Sequence, residues 1–281
     1  MFKLLETLKL IRAVNCLIAM AGVWVGAYMT WLRPVYYAPA AAGLAAFLIC
    51  AAGNIINDLL DIEIDRVSHP GRVLVKGTVS TRYALILSIC FNVVAIGLAL
   101  TVSLPLTGLA VIVICLLYLY NYRLKKIPLA GNVVISLLAG LTFLTGGFAV
   151  DYRMALYLPG PLIAAVFAFF MNLVREIIKD VHDVEGDRAL GVKTLPQVIG
   201  EQKAIMVALS LFFALVLLTL APILSGWFGK WYKIITVYIV DLPILGFLIF
   251  LWGDPNRRML AIGAALIKVG MALGVLALVL A

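Results

Sequence analysis

Charge is what this chain has least of. Only 13% of its 281 residues are Asp, Glu, Lys or Arg, and the mean hydropathy is +1.12. Soluble domains carry about 25%, so a water-soluble globule is excluded. Cysteine is scarce too: Cys16, Cys50, Cys90 and Cys115 stand singly in apolar stretches. No CxxC spacing suggests zinc or a disulfide framework, and all four are expected to be buried and inert. The two histidines, His69 and His182, read as loop residues and are assigned no role. No G-x-G-x-x-G or Walker pattern occurs. Gly71, Gly77, Gly131, Gly146 and Gly147 read instead as turns and close helix packing. The first apolar segment is too long for a cleavable signal peptide, and no small-residue cleavage site follows it.

Long apolar runs are what the chain has in place of charge. Nine stand out, at about 10–29, 37–58, 83–102, 106–122, 130–149, 156–176, 204–224, 232–251 and 259–280. Each is long enough to cross a hydrocarbon core of about 30 Å. Continuous apolar runs exclude the alternation of a barrel, and only helices or closed barrels satisfy their backbone in lipid. The expected fold is all-α, a multi-spanning membrane helical bundle forming one domain over residues 1–281.

The net charge of +8 follows this topology. Nine spans place seventeen Lys and Arg residues on one side, among them Arg12, Arg66, Arg72, Lys125, Lys179 and Arg257. Arg33, Arg153, Lys230 and Lys233 fall on the other, and Lys268 lies within the last span. The positive-inside rule then puts the N-terminus and the richer side in the cytoplasm. Basicity of this kind reports orientation and implies no nucleic-acid partner.

Acidic residues are few, yet nine of the fourteen fall into two patches. "NDLLDIEID" carries Asp58, Asp61 and Asp65; "KDVHDVEGD" carries Asp180, Asp183 and Asp187. Both read D-x2-D-x3-D and both run into arginine, Arg66 and Arg188. In a helix, positions i, i+3 and i+7 share a face, so each patch is expected as one stripe at the cytoplasmic end of an even-numbered span. The C-terminal end of a helix already carries partial negative charge, and three stacked carboxylates there call for a cation. Hard oxygen donors select Mg²⁺, Ca²⁺ or Mn²⁺. Mg²⁺ takes one or two carboxylates and completes its shell with water and phosphate oxygens, so two facing aspartate patches suit a diphosphate. Asn54 and Asn57 lie beside the first patch, and Asn57 and Asp61 are spaced i, i+4. The candidate metal ligands are Asn57, Asp58, Asp61, Asp65, Asp180, Asp183 and Asp187. Arg66, Arg72, Lys125 and Lys179 are basic neighbours suited to phosphate.

These residues resemble the UbiA superfamily of intramembrane prenyltransferases. The first signature, N-D-x2-D-x3-D, stands as Asn57, Asp58, Asp61 and Asp65; the second, preceded by lysine, stands as Lys179, Asp180, Asp183 and Asp187. The resemblance covers essentially the whole chain. It implies nine transmembrane helices around a lipid-open chamber, Mg²⁺ as cofactor, a prenyl diphosphate donor, and catalytic roles for Asp61, Asp65, Asp183 and Asp187. "IRAVNC", with Arg12 and Asn15, "YRLKKIPLAGN", with Tyr122, Lys125, Gly131 and Asn132, and "KDVHDVEGDRALGVKTLPQVIG" are similar to the ether-lipid branch. That branch adds a geranylgeranyl chain to the hydroxyl of geranylgeranylglyceryl phosphate. Arg12, Asn15, Asn54, Arg66, Arg72, Tyr122, Lys125 and Lys179 become the candidate substrate contacts. One departure is Val73, where the branch usually has proline.

A prenyl cation needs a dry site and can be stabilised by aromatic faces; Tyr118, Tyr122, Phe143 and Phe167 are candidates. An aromatic prenyltransferase of the same superfamily, acting on a hydroxybenzoate or quinone precursor, is the nearest alternative. An ion-coupled transporter is the alternative from another class. CDP-alcohol phosphotransferases are excluded, because Asp61 is followed by Ile62 rather than glycine.

Overall fold

A computed structural model describes residues 2–32, 36–189 and 193–281 of the chain; Arg33 lies outside them. The described residues form helices and connecting turns, with no strand among them. The chain divides into two compact units, one of Met1–Arg123 with Leu141–Pro161, the other of Leu124–Gly140 with Leu162–Ala281.

The first unit opens with α1 (Phe2–Leu10) and α2 (Ala13–Tyr28). The apolar run expected over 10–29 is interrupted between them. Arg12 adopts φ 52°, ψ 57°, in the left-handed region that L-residues avoid in helices. The break leaves α2 with 16 residues, about 24 Å at 1.5 Å per residue and short of a full crossing. Among the described residues eight other helical segments are long and apolar enough to cross, so the expected nine becomes eight plus this shorter helix. The carbonyl of Ile11, freed at the break, accepts from Asn54 Nδ2 at 2.8 Å and from Cys16 Sγ at 3.1 Å.

α3 (Tyr37–Leu60) sits centrally, packed against α2, α5 (Thr81–Val102) and α6 (Leu104–Tyr122), while α4 (Ile62–Ser68) follows it directly. Small residues explain the central position. Ala41, Ala42, Ala45, Ala51 and Ala52 are buried along α3, and Ala84, Ala95, Ala99 and Ala110 answer from α5 and α6. Small side chains let membrane helices approach closely enough for dispersion to hold them. α5 and α6 turn most of their surface outward, showing Ile86, Ile89, Val93, Val94 and Ile112, as lipid-facing helices do. Val73, the departure from the expected proline, is 6% exposed and packs with Leu10, Ile11, Leu74 and Ile55.

The helix α7 (Ala130–Asp151) contributes its later residues to this unit. A Cβ on Gly26 would stand 1.9 Å from the carbonyl oxygen of Phe143, and one on Gly146 would stand 2.0 Å from that of Val23. Two glycines therefore let the α2 and α7 backbones touch. Phe143, a candidate for cation stabilisation, is buried in this packing.

The second unit holds the start of α7, then α8 (Pro161–Ala189), α9 (Leu195–Ile199) and α10 (Glu201–Leu224). After these come α11 (Lys230–Lys233), a π-helical stretch Ile234–Asp241, α12 (Leu242–Gly253) and α13 (Arg257–Val279). α8 begins later than the 156–176 run and continues through the second aspartate patch. The π-helical stretch runs up to Pro243, which has no N–H for an i→i−4 bond and whose ring crowds the preceding turn; widening that turn relieves both. Lys268 is exposed at the middle of α13.

All four cysteines are free thiols. Their burial does not follow the expectation: Cys16 is buried, Cys50 half-buried, and Cys90 and Cys115 are exposed, because α5 and α6 present most of their faces outward.

Candidate functional site

The first aspartate patch is built where α3 stops. α3 ends at Leu60, Asp61 (φ −99°, ψ 6°) stands between helices, and α4 resumes at Ile62. The three aspartates thus lie across a break and not along one helix. Backbone bonds still span it: Asp61 N–H donates to Asn57 O and Asp65 N–H to Asp61 O. Asp58 and Asp65 are buried, 5% and 3% exposed, and Asp61 is half-buried.

Two arginines compensate this buried charge. Arg12 donates from Nη2 to Asp58 Oδ1 at 2.5 Å and, more weakly, to Asn57 Oδ1 at 3.4 Å. Arg72 Nη1 stands between two carboxylates, 3.1 Å from Asp58 Oδ1 and 2.5 Å from Asp65 Oδ2. The left-handed backbone at Arg12 is what turns that side chain, one residue before α2, onto α3. Asn57 Nδ2 donates to Asn121 Oδ1 at 3.0 Å, and Asn121 Nδ2 donates to Leu117 O. His69 Nδ1 lies 3.6 Å from Asp65 Oδ1.

The second patch is helical throughout. Asp180, Asp183 and Asp187 all lie within α8, which ends just past them at Ala189, so this patch is one uninterrupted stripe at the end of its helix. That end has a physical support. Arg257, at the first turn of α13, donates to the carbonyls of Val181 and His182 and to Glu201 at 3.2 Å and Glu185 at 3.4 Å. Asp180 accepts from Asn132 Nδ2 at 2.8 Å. Asn132 is braced in turn: Ser136 Oγ donates to its carbonyl, and Asn172 Nδ2 donates to Ser136 Oγ. Asp183 lies 2.6 Å from His182 Nδ1.

Other candidates fall elsewhere. Arg66 pairs with Glu63 at 2.9 Å on an exposed face and does not join Arg72. Asn54 spends its amide on the Ile11 carbonyl, and Asn15 is exposed. Tyr122 is exposed and stacks on Tyr118, ring centroids 6.4 Å apart; Tyr118 Oη accepts from Asn92. Phe167 is half-buried. Lys125 is half-buried in the 3₁₀ turn Leu124–Lys126, and Lys179 is exposed 4.0 Å from Glu176. Sequence reading missed Asn121 altogether and took Arg257 only as a topogenic charge. A buried asparagine between two tyrosines at a helix end was the available signal for the first.

Among the described residues no three His, Cys, Asp or Glu side chains gather tightly enough to hold a metal by themselves. The donors nevertheless fit Mg²⁺. They are carboxylate and amide oxygens, and a cationic nitrogen of Arg72 already occupies a position bridging Asp58 and Asp65. A cation that completes its shell with water and phosphate needs only one or two carboxylates from such a patch.

The sequence profile of the UbiA prenyltransferase family matches residues 15–262. This chain belongs to that family. The digeranylgeranylglyceryl phosphate synthase of Methanopyrus kandleri is 40% identical to this UbiA family member over 271 residues, 96% of each chain. That of Thermococcus gammatolerans is 37% identical over 238 residues, 85% of this chain and 83% of its own. A solved structure of digeranylgeranylglyceryl phosphate synthase superposes with a TM-score of 0.82 at 32% identity, covering 99% of this chain and 98% of that one. A UbiA homologue from Archaeoglobus fulgidus bound to GPP and Mg²⁺ shares the fold, with a TM-score of 0.66 at 20% identity over 97% and 99% of the two chains.

Proposed function

We propose that this UbiA family member transfers a geranylgeranyl group from its diphosphate to the hydroxyl of geranylgeranylglyceryl phosphate, with Mg²⁺ as cofactor. Support comes chiefly from the bridging position of the Arg72 guanidinium between Asp58 and Asp65: two buried carboxylates already share one cationic group. Identity of 34–40% to synthases of this activity over most of the chain selects the acceptor class.

Asp58, Asp61 and Asp65, with the Asn57 amide oxygen, and Asp180, Asp183 and Asp187 supply the metal ligands. Bound Mg²⁺ would neutralise the diphosphate and stabilise the charge developing on it as the C1–O bond breaks. Arg12, Arg72, Lys125 and Lys179 contact phosphate oxygens of donor or acceptor. Asn132 holds Asp180 in place through the 2.8 Å bond. The acceptor hydroxyl attacks C1, its oxygen forming the ether bond, and its proton passes to an aspartate or to the departing diphosphate. The prenyl cation survives only where water is excluded, which the apolar helices provide. Arg12, Arg72, Lys125 and Lys179 all belong to the lysine- and arginine-rich side, so the reaction faces the cytoplasm.

The test is a purified-protein assay in detergent with Mg²⁺ and geranylgeranyl diphosphate, offering geranylgeranylglyceryl phosphate and 4-hydroxybenzoate separately, with products read by mass spectrometry. The expected result is a Mg²⁺-dependent ether from the first acceptor, lost with EDTA and in Asp61→Asn and Asp183→Asn. Product from hydroxybenzoate alone would move the enzyme to the aromatic branch. No product from either, with cation-driven uptake into vesicles, would favour a transporter.

A further inference from the structure

The charged face of α8 does not stop at the second patch. It runs on toward the middle of the span through Glu176 and Arg175, and Asn172 ends it; residues 161–171 carry no polar side chain. Asn172, Arg175, Glu176, Lys179 and Asp180 are half-buried or exposed, whereas Val174, Ile177, Ile178 and Val181 behind them are 0% exposed. Arg175 therefore stands midway along the span Pro161–Arg188, on its open side. An ionisable group at such a depth is costly and is kept where it has a partner or a task.

The partner that Arg175 has in the fold does not account for it. Among the described residues it bonds only to Glu176, Nη1 donating to Oε1 at 2.6 Å. Adjacent residues of a helix do not face each other, so the guanidinium folds along its own helix and engages through one of its several N–H donors. Arg175 Nε is buried with no acceptor at all. Glu176 is shared besides, because Lys179 Nζ lies 4.0 Å from its Oε2. Two cations thus meet one carboxylate. A phosphate, with more acceptor oxygens than a carboxylate, matches the planar fork of an arginine and the point charge of a lysine together.

We infer that Arg175, with Lys179 one turn nearer the helix end, binds the phosphate of the acceptor and makes the enzyme selective for a phosphorylated glycerol lipid. The inference rests on the prenyl-transfer reading and follows from where charge falls on the two substrates. All charge on the donor is in its diphosphate, which the aspartates and Mg²⁺ hold; from C1 onward it is hydrocarbon. A cation deeper in the span than the patch meets no charge on the donor. The acceptor carries its hydroxyl and its phosphate on adjacent carbons, so a hydroxyl brought to C1 keeps its phosphate close to the patch. Arg175 precedes Asp180 by five residues, about 7.5 Å along the helix axis, which is within that reach. Glu176 holds the guanidinium and balances its charge until the phosphate displaces it.

The experiment is steady-state kinetics of the full chain in detergent with Mg²⁺ and geranylgeranyl diphosphate. Geranylgeranylglyceryl phosphate is the varied acceptor, and phosphate-free geranylgeranylglycerol is the competing ligand. Loss of a charge-assisted contact to phosphate in Arg175→Gln should raise KM for the acceptor about tenfold or more. KM for the donor and inhibition by geranylgeranylglycerol should not change. Arg175→Lys should lie between the wild type and Arg175→Gln. Glu176→Gln, which frees the guanidinium, should lower KM for the acceptor. A rise in donor KM and a loss of geranylgeranylglycerol inhibition equal to the acceptor effect would overturn the assignment, by making Arg175 a structural residue. An unchanged acceptor KM in Arg175→Gln would overturn it alone, with prenyl transfer by the wild type intact. No ether product from the wild type would instead overturn the prenyl-transfer reading and this inference with it. Should Arg175→Gln fail to fold, Arg175→Lys and Glu176→Gln decide, and an unchanged acceptor KM in both would overturn the site.

Discussion

Arg72 places Nη1 2.5 Å from Oδ2 of Asp65, seven residues earlier in the chain, and the same nitrogen reaches Asp58. A guanidinium in that position competes with any metal for the same oxygens. Arg72→Gln should therefore strengthen Mg²⁺ binding in the absence of substrate while weakening diphosphate binding. Without metal the variant should lose up to about 3 kcal/mol of stability, since two buried carboxylates lose a counter-charge. Calorimetric titration with Mg²⁺ and then with pyrophosphate, beside Tm in EDTA, separates these effects. Weaker Mg²⁺ binding in the variant would contradict competition.

Asn132 donates a charge-assisted hydrogen bond to Asp180, a kind worth about 1.5–3 kcal/mol. Asn132→Leu removes the donor and should raise the Mg²⁺ requirement of the reaction about tenfold or more, as loss of a positioning partner commonly does at metal sites. The check is activity against Mg²⁺ concentration. Ser136→Ala, one step further out, should have a smaller effect in the same direction.

Arg257 holds the end of α8 by two backbone carbonyls and two glutamates. Arg257→Leu should release the turns that carry Asp183 and Asp187, lowering stability by about 1–3 kcal/mol and raising KM for the donor. Arg257→Lys should rescue only part, because an ammonium lacks the planar fork that reaches several acceptors together. Tm and steady-state kinetics of both variants provide the comparison.

Gly26 and Gly146 allow α2 and α7 to meet backbone to backbone. Alanine at either should force the helices apart and cost about 1–3 kcal/mol. Gly97→Ala is the control, since nothing lies within 4 Å of a Cβ there, and it should be neutral or slightly stabilising. Thermal unfolding in one detergent ranks the three.

The sequence by itself determined the class of structure and the chemistry of the patches. Uncharged runs of about 20 residues can satisfy their backbone in lipid only as helices, and D-x2-D-x3-D written twice in a charge-poor chain demanded cations. Spacing cannot reveal a break, however. Asp61 reads from sequence as the middle of a helical stripe, yet α3 stops at Leu60 and α4 begins only at Ile62. Nor does an apolar run announce that Arg12 will turn left-handed inside it. Only tertiary packing decided which basic residues serve the first patch. Arg66 and Arg72 looked equivalent in sequence, yet one pairs with Glu63 on the surface and the other reaches two buried aspartates. The same holds for Asn121, Asn132 and Arg257, whose partners are 64, 48 and about 75 positions away. Local propensity carries no information over such separations; the long-range contacts of packed helices do.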